Sequence, residues 1–386
     1  MKILWLASWY PNPYEPYNGD FVQRHAKAVA AMVPIDVIHI LQHGGKSKKE
    51  ATVSKKHGIT EYFHAFNFTP TGIGLIDKIL YNISYHIHFK NILEAYIKEN
   101  GKPDIVHVHV PVKAGLMALY LLKKYRLPYI VSEQSSHYEI TSPFYFFKRS
   151  KYYQNNCRRI FNHATAVTNV SATIGKKLQE IFTIKNYRTI HNIVDTELFH
   201  YKKAETSGKV RLIHASALGE QKNPIGIIKA LALLQSKNQN WECRICGPAN
   251  EQLKALVQEN NLTNLINFTG EIPYHEVAGY MSESDVFLLF SNHENFPCVV
   301  VEALCSGLPV VSSIAGGIAE AVNESNGLLV PAGDIIALAN ALHTMITNLN
   351  QYNREAIATD AAKLYNKGFI AQQFVRLYKE VLRIKE

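Results

Sequence analysis

Glu294 and Glu302 stand eight residues apart in "VFLLFSNHENFPCVVVEALCSGLPVVSSIAGGIAEAV" (Val286–Val322). An apolar run ends at Phe290, and the polar crest Ser291-Asn292-His293-Glu294 follows. Pro297 sits where the first helical turn is predicted to begin, a place where its missing N–H costs nothing. The helix is predicted to end at Cys305, before Ser306-Gly307, with a new strand from Pro309. Such a strand–loop–helix aims free N–H groups and a positive dipole end at one point, an anion site suited to phosphate. A carboxylate there repels phosphate, so Glu294 is expected to point at hydroxyl groups instead. Glu302, about two turns into the helix, is placed to accept hydrogen bonds from vicinal hydroxyls such as those of a ribose. Ala315–Gly317 adds a second place where backbone can approach an anion. A single Glu on a helix is ordinarily surface solvation, and a Gly-Gly pair is ordinarily a turn. Together, a phosphate cradle and two hydroxyl-binding carboxylates describe a nucleotide-sugar site.

Short apolar runs separated by helical stretches must position these groups. Strands are predicted over Lys2–Ser8, Ile35–Leu41, Ile105–Val110, Tyr129–Ser132, Ala166–Val170 and Thr189–Ile190. After residue 208 they are predicted over Arg211–Ala215, Trp241–Cys246, Ile266–Thr269, Val286–Phe290, Pro309–Ser313 and Leu328–Val330. The helical stretches include Asp20–Met32, Ala114–Tyr125, Ile225–Gln235 and Ile335–Leu349. This βαβ alternation predicts an α/β fold with parallel sheets. The pattern restarts near residue 209, after the aperiodic segment "YKKAETSGK" (Tyr201–Lys209). Two doubly wound, Rossmann-like domains are expected, residues 1–200 and 209–367, with a linker at 201–208. Ligands then bind where the carboxyl ends of both sheets face each other across a cleft. Residues 368–386 read as a basic amphipathic helix, and Lys46–Lys56 as a solvated loop.

The chain has 386 residues, and 47% hydrophobic with 19% charged side chains excludes a disordered polymer. Its net charge of +9 is unevenly spread. Residues 1–200 carry 25 basic and 14 acidic side chains, while residues 201–386 carry 16 and 18. The first half is therefore expected to face an anionic partner. Five cysteines give no disulfide framework, and the Cys243–Cys246 CxxC has no partner pair at zinc spacing. A reducing cytoplasm is the expected compartment. The apolar start Ile3–Ala7 is too short for a signal peptide, and no apolar run is long enough to span a bilayer.

Ser291, Glu294, Phe296, Glu302-Ala303, Gly307, Pro309 and Gly316-Gly317-x-x-Glu320 resemble the signature of the family-four retaining glycosyltransferases, with their E-x7-E pair and GT-B fold. The resemblance extends over most of the chain. It includes Asn18–Ala30, Pro103–His109, Ala166–Ser171 and Ile190–Phe199, then Leu218–Pro224, Ile245–Ala249, Ile266–Ile272 and Asn326–Val330. It implies that the second domain binds a UDP- or GDP-sugar and the first a glycan or lipid-linked acceptor. It also implies that Glu302 holds the ribose and Glu294 the transferred sugar. Asn295 and Phe296 support sugar and diphosphate, and Lys222 meets phosphate. Gly247, Gly270 and Ile272 border the base, and Gly19 closes over the diphosphate. The final helix crosses back to the first domain.

The sequence lacks an Asp-x-Asp metal motif, so no metal cofactor is expected, and Lys222 with backbone N–H groups takes that role. Two positions depart from the family pattern. Ser216 and Ala217 stand where a second phosphate-binding Arg is usual. Glu133-Gln134 stand where a His near the reaction centre is usual, which makes the later His137 the catalytic candidate against the reading of a loop histidine. His107 and His109 are expected to be buried and structural. The aromatic and basic segment Pro143–Tyr153 suggests peripheral contact with an anionic membrane, set against the reading that its Phe residues form core. A nucleotide-sugar epimerase or hydrolase is the competing enzyme class. A basic nucleic-acid-binding protein is disfavoured because no known module for that purpose is visible. A nicotinamide dehydrogenase is disfavoured because no GxGxxG follows an early strand.

Overall fold

The computed structural model describes residues 1–42, 50–56, 58–203 and 208–384. Among these residues the chain builds two sheets. The first contains β1 (Ile3–Ala7), β2 (Ile35–Gln42), β3 (Glu50–Lys56), β4 (Ile59–Phe66), β5 (Ile105–His109), β6 (Tyr129–Glu133), β7 (Ala166–Asn169) and β8 (Tyr187–Thr189). Their order is β3-β4-β2-β1-β5-β6-β7-β8. The second contains β9 (Val210–Ala215), β10 (Trp241–Cys246), β11 (Ile266–Gly270), β12 (Val286–Leu289), β13 (Val310–Ser313) and β14 (Gly327–Val330), in the order β11-β10-β9-β12-β13-β14. Every pairing is parallel except β3 with β4, which is antiparallel at the sheet edge.

Between the strands of the first sheet lie α1 (Asp20–Ala30), α2 (Gly74–Asn100), α3 (Ala114–Tyr125), α4 (Lys151–His163) and α5 (Ala172–Ile181). The second sheet carries α6 (Pro224–Gln235), α7 (Glu251–Glu259), α8 (Tyr274–Glu283), α9 (Cys298–Cys305), α10 (Ile318–Ala321) and α11 (Ile335–Thr347). The chain closes with α12 (Arg354–Tyr365) and α13 (Lys367–Leu382). The central strands are buried along their whole length, as in "ILWLA" of β1 and "IVHVH" of β5. Parallel sheets need this because helices cover both faces.

Strand order fixes where a ligand can bind. From β1 the chain moves outward through β2 to the sheet edge, and α2 then carries it to β5 on the other side of β1. In the second sheet β9 and β12 are neighbours, but the chain leaves them in opposite directions. The loops after such a pair diverge and open a crevice at the carboxyl ends. The loop before α6, with Lys222, and the loop before α9, with Glu294, are these two loops.

α13 packs against the first sheet. Ile370, Ala371, Phe374, Leu377 and Tyr378 are buried with Ile3, Trp5, Val22 and Ile105. His107 and His109 lie beneath it, fully buried, and the Tyr378 hydroxyl is 2.6 Å from His107 Nδ1.

Several boundaries differ from the sequence reading. Glu50–Lys56 is an edge strand rather than a solvated loop, because backbone pairing with β4 satisfies it without an apolar pattern. Lys46–Lys49 of that segment lie outside the described residues, as do residues 204–207 of the expected linker and the last two residues of the chain. α1 ends at Ala30, two residues short of the predicted end, and the last strand of the first sheet is Tyr187–Thr189. Pro297 is the residue that precedes α9, which starts at Cys298.

Phe374→Ala tests how α13 is held. The ring is 2% exposed between α13 and the first sheet. Its removal is expected to cost about 3–5 kcal/mol in chemical denaturation. A change below about 1 kcal/mol would show that α13 does not share the core of the first sheet.

Candidate active site

The loop before α9 is pinned from three sides. Asn292 N–H donates to the Gln221 carbonyl at 2.8 Å, and Gln221 Nε2 donates to the His293 carbonyl at 2.9 Å. These bonds tie it to the loop that carries Lys222. On another side Gly317 N–H donates to the Asn295 carbonyl at 2.7 Å. Gly316 is left-handed (φ 55°), and a Cβ there would lie 2.2 Å from the Glu294 carbonyl oxygen. Only glycine fits this close approach. The first half of the chain supplies the third side. Ser171 Oγ donates to Asn295 Oδ1 at 2.7 Å, Asn295 Nδ2 donates to the Ser135 carbonyl at 3.3 Å, and Asn192 Nδ2 donates to the Phe296 carbonyl at 2.5 Å. The Phe296 ring stacks on His191, centroids 4.5 Å apart.

Glu294 is thereby held in one position, 5% exposed. Its Oε1 accepts from Lys222 Nζ at 2.5 Å and from Ser291 Oγ at 2.7 Å. A buried carboxylate needs such partners; removing one member of a buried pair costs roughly 3–5 kcal/mol. Glu302, 2% exposed within α9, accepts at Oε1 from the Tyr274 hydroxyl at 2.7 Å and from Arg24 Nη1 at 2.5 Å. Arg24 belongs to α1, also pairs with Asp20 at 3.2 Å, and lies over the Tyr274 ring. Burial, reinforced by the Glu302 charge, pushes the Tyr274 phenol up, so it stays protonated and donates.

Between the two halves lies a cleft of about 680 Å³. Lys222, Glu294, Asn295, Phe296 and His137 line it together. His137 Nδ1 is 3.3 Å from the Tyr153 hydroxyl, and its ring lies edge-on to Trp9. Burial, aided by Arg149, brings its pKa down to about 4, so the imidazole is neutral at pH 7. Glu302 does not line this cleft with them; its carboxylate is buried and taken up by Arg24 and Tyr274.

Ser216, Gly247, Gly270 and Ile272 form a separate group at the carboxyl ends of β9, β10 and β11. Gly247 N–H donates to the Gly270 carbonyl at 2.9 Å, and Ser216 N–H donates to the Cys246 carbonyl at 3.0 Å. Ser216 Oγ is committed to His214 at 2.7 Å, and Ile272 packs on the apolar core. Gly19 precedes α1 in a left-handed conformation (φ 67°), where a Cβ would lie 2.5 Å from the Trp9 carbonyl carbon. It shapes the turn that brings Phe21 and Arg24 toward the second half. Arg24, Tyr274, Trp9, Asn192 and Ser135 escaped the sequence reading. Arg24 lay within the Gly19 segment, but only the three-dimensional fold sets it on Glu302.

Residues 195–363 match the family described as Glycosyl transferases group 1, and residues 20–198 match Glycosyltransferase Family 4. The chain belongs to the family-four glycosyltransferases. It is 21% identical over 362 residues to the putative teichuronic acid biosynthesis glycosyltransferase TuaC of Bacillus subtilis, covering 89% of this chain and 88% of that one. It is 31% identical over 264 residues to the sulfoquinovosyl transferase SQD2 of Arabidopsis thaliana, covering 64% and 50%. Among solved structures it resembles sucrose-phosphate synthase from Thermosynechococcus elongatus, with a TM-score of 0.79 at 20% identity over the whole of both chains. It also resembles Anabaena HepE in complex with UDP, with a TM-score of 0.71 at 19% identity over 98% of this chain and 100% of that one. These neighbours establish the GT-B fold for the two sheets.

Three imidazoles in this family-four chain give its stability a pH dependence. Burial, aided by His25, holds His107 down to about 3. Burial holds His214 down to about 4, outweighing its bond to the Leu288 carbonyl, and His137 is held at about 4 as described. In the unfolded chain each titrates near 6.5. Below that pH the unfolded state binds protons that the native state refuses, so stability falls as pH drops from 6.5 toward 4. The expected slope is at most about 1.4 kcal/mol per pH unit for each histidine. Thermal melts between pH 7.5 and about 5 check this, and a flat Tm would contradict it.

Proposed function

We propose that this glycosyltransferase is retaining and moves a hexose-type sugar from a UDP- or GDP-sugar to a glycan or lipid-linked acceptor during surface-polysaccharide synthesis, at the cytoplasmic side and without a metal cofactor. The observation that carries the reading is the pairing of Lys222 with Glu294 at the divergence of β9 and β12, with Glu302 eight residues on. Related proteins support the substrate class. TuaC is named for teichuronic acid biosynthesis, and the relative WcaL of Salmonella typhimurium, 30% identical over half of each chain, for colanic acid biosynthesis. The HepE structures contain UDP and UDP-glucose.

Cleavage of the anomeric C–O bond leaves a diphosphate whose negative charge grows along the reaction. Preorganised cations and N–H groups facing that charge lower the barrier. Here Lys222 and the open first turn of α9 supply them. Glu294, fixed by Lys222 and Ser291, holds the transferred sugar by its hydroxyls and stabilises positive charge at the anomeric carbon. Lys222 thus serves two negative groups: it orients Glu294, and it meets the leaving diphosphate. Glu302 holds the ribose, with Arg24 and Tyr274 fixing its carboxylate. The cleft face with His137, Trp9 and Phe144 receives the acceptor.

Steady-state kinetics of two variants test the assignment. Glu302→Ala is expected to raise the donor KM about 10- to 100-fold. Glu294→Ala is expected to lower kcat by about 10²–10³. Unchanged constants in both would overturn the site. The anomeric proton signal of the product, followed by NMR, is expected to show the configuration of the donor. An inverted product would rule out retention. Donor consumption that proceeds equally with and without acceptor would instead identify a hydrolase or epimerase.

A further inference from the structure

Among the described residues, nothing covers one face of the 27-residue helix α2. Its inner face is satisfied: Tyr85, Phe89, Leu93 and Tyr96 are buried against the first sheet. Its first half carries a second apolar face. Leu75 is 73% exposed, Ile79 53%, Ile83 51% and Ile87 53%, and Ile76 and Leu80 beside them exceed 40%. Positions four apart form one ridge along a helix, so these side chains make a continuous stripe. A soluble surface rarely leaves such a stripe uncovered without a use for it.

The charges around the stripe favour one kind of partner. α2, α3 and α4 lie side by side on one face of the sheet. Lys113, at the start of α3, donates to the Tyr81 hydroxyl of α2 at 2.8 Å, and Gly115 of α3 lies against Ile160 of α4. Residues 111–132 and 140–165 contain no Asp or Glu, and they hold nine Lys and Arg. In the first half of α2 the one acid, Asp77, is taken up by the Thr71 and Gly72 N–H groups and the Thr71 hydroxyl. Each of the three helices follows the carboxyl end of a strand, so their first turns lie at the cleft end of the sheet. At the start of α4, Phe147 and Tyr152 are 51% and 61% exposed beside exposed Lys148 and Lys151. Phe146, next to Phe147, is fully buried, so the aromatic segment is split between core and surface.

We propose that the Leu75–Ile87 face of α2, with the basic and aromatic start of α4, seats this chain on an anionic lipid bilayer. Aliphatic and aromatic side chains at the acyl boundary, flanked by Lys and Arg facing phosphate headgroups, are the chemistry of an interfacial helix. No helix among the described residues is long and apolar enough to cross a membrane, so the contact is peripheral. The cleft then opens at the bilayer surface, where an acceptor carried on a lipid can enter it. The inference stands on the helix face and its charges, and it does not rest on the donor chemistry.

Co-sedimentation of the full chain with phosphatidylglycerol-containing and with pure phosphatidylcholine vesicles tests it. Binding is expected to the anionic vesicles and to weaken with salt. The paired variant Ile79→Ser with Ile83→Ser is expected to lower the partition coefficient about tenfold per isoleucine. Lys78→Glu with Lys151→Glu is expected to lower it on anionic vesicles alone. These four positions are exposed and outside the cleft, and an unchanged thermal melt checks that each variant is folded. Equal sedimentation of the native chain and both variants would overturn the proposal. So would a native dimer that the isoleucine variant converts to monomer without any vesicle binding, since the face would then seat a second copy.

Discussion

The ion pair between Lys222 and Glu294 is the interaction around which the second half of the molecule is organised. A carboxylate 5% exposed is unstable without a charged partner, and Lys222 is that partner. The two residues are 72 positions apart and meet because β9 and β12 are neighbours whose chains depart in opposite directions. Strand order creates the crevice, the crevice sets the two loops side by side, and the pair locks them. The Asn292 N–H bond to the Gln221 carbonyl, the Gln221 side-chain amide bond to the His293 carbonyl, and the close approach of Gly316 to Glu294 hold the arrangement on both flanks.

The first half of the chain completes the site through polar contacts at the cleft floor. Ser171 and Ser135 bind Asn295, and Arg24 binds Glu302. In the opposite sense Glu320 accepts from the Ala172 and Thr173 N–H groups at 2.8 Å each, filling the open first turn of α5 from across the cleft. Below these contacts α13 returns the end of the chain to the first sheet, with Phe374 and Tyr378 in its core. The second half is therefore joined to the first by apolar packing at one end and hydrogen bonds at the other. The exposed apolar stripe on α2 belongs to the first half alone, which is also where the excess positive charge lies.

Much of this was legible in the sequence. Fully buried parallel strands appear as short apolar runs, so the α/β class and nearly all central strands followed from periodicity. Glu294 and Glu302 stood out as candidates because they keep a fixed spacing across one strand–loop–helix segment, and Lys222 because its segment resembles the family's phosphate-binding loop. Elements lacking an apolar pattern were not legible. β3, "EATVSKK", is held by backbone pairing at an edge, which side-chain pattern does not encode. Nor did sequence reveal that Lys222 pairs with Glu294, or that Arg24 and Tyr274 share Glu302. Those contacts span 72, 278 and 28 residues; the first and last exist only once the second sheet has formed, and the Arg24 contact only once the first half packs against it. The α2 stripe escaped for the opposite reason, since an apolar helical face reads as core until the sheet is seen to cover only the other side.

Calorimetric titration of the native chain and of Lys222→Ala with UDP and with GDP tests the central claim most directly, because it isolates the diphosphate contact from chemistry and from the acceptor. The expected result is saturable binding of one of the two nucleotides, weakened about tenfold or more without the lysine ammonium. Equal affinity in the two proteins, or no binding of either nucleotide to the native chain, would contradict the account.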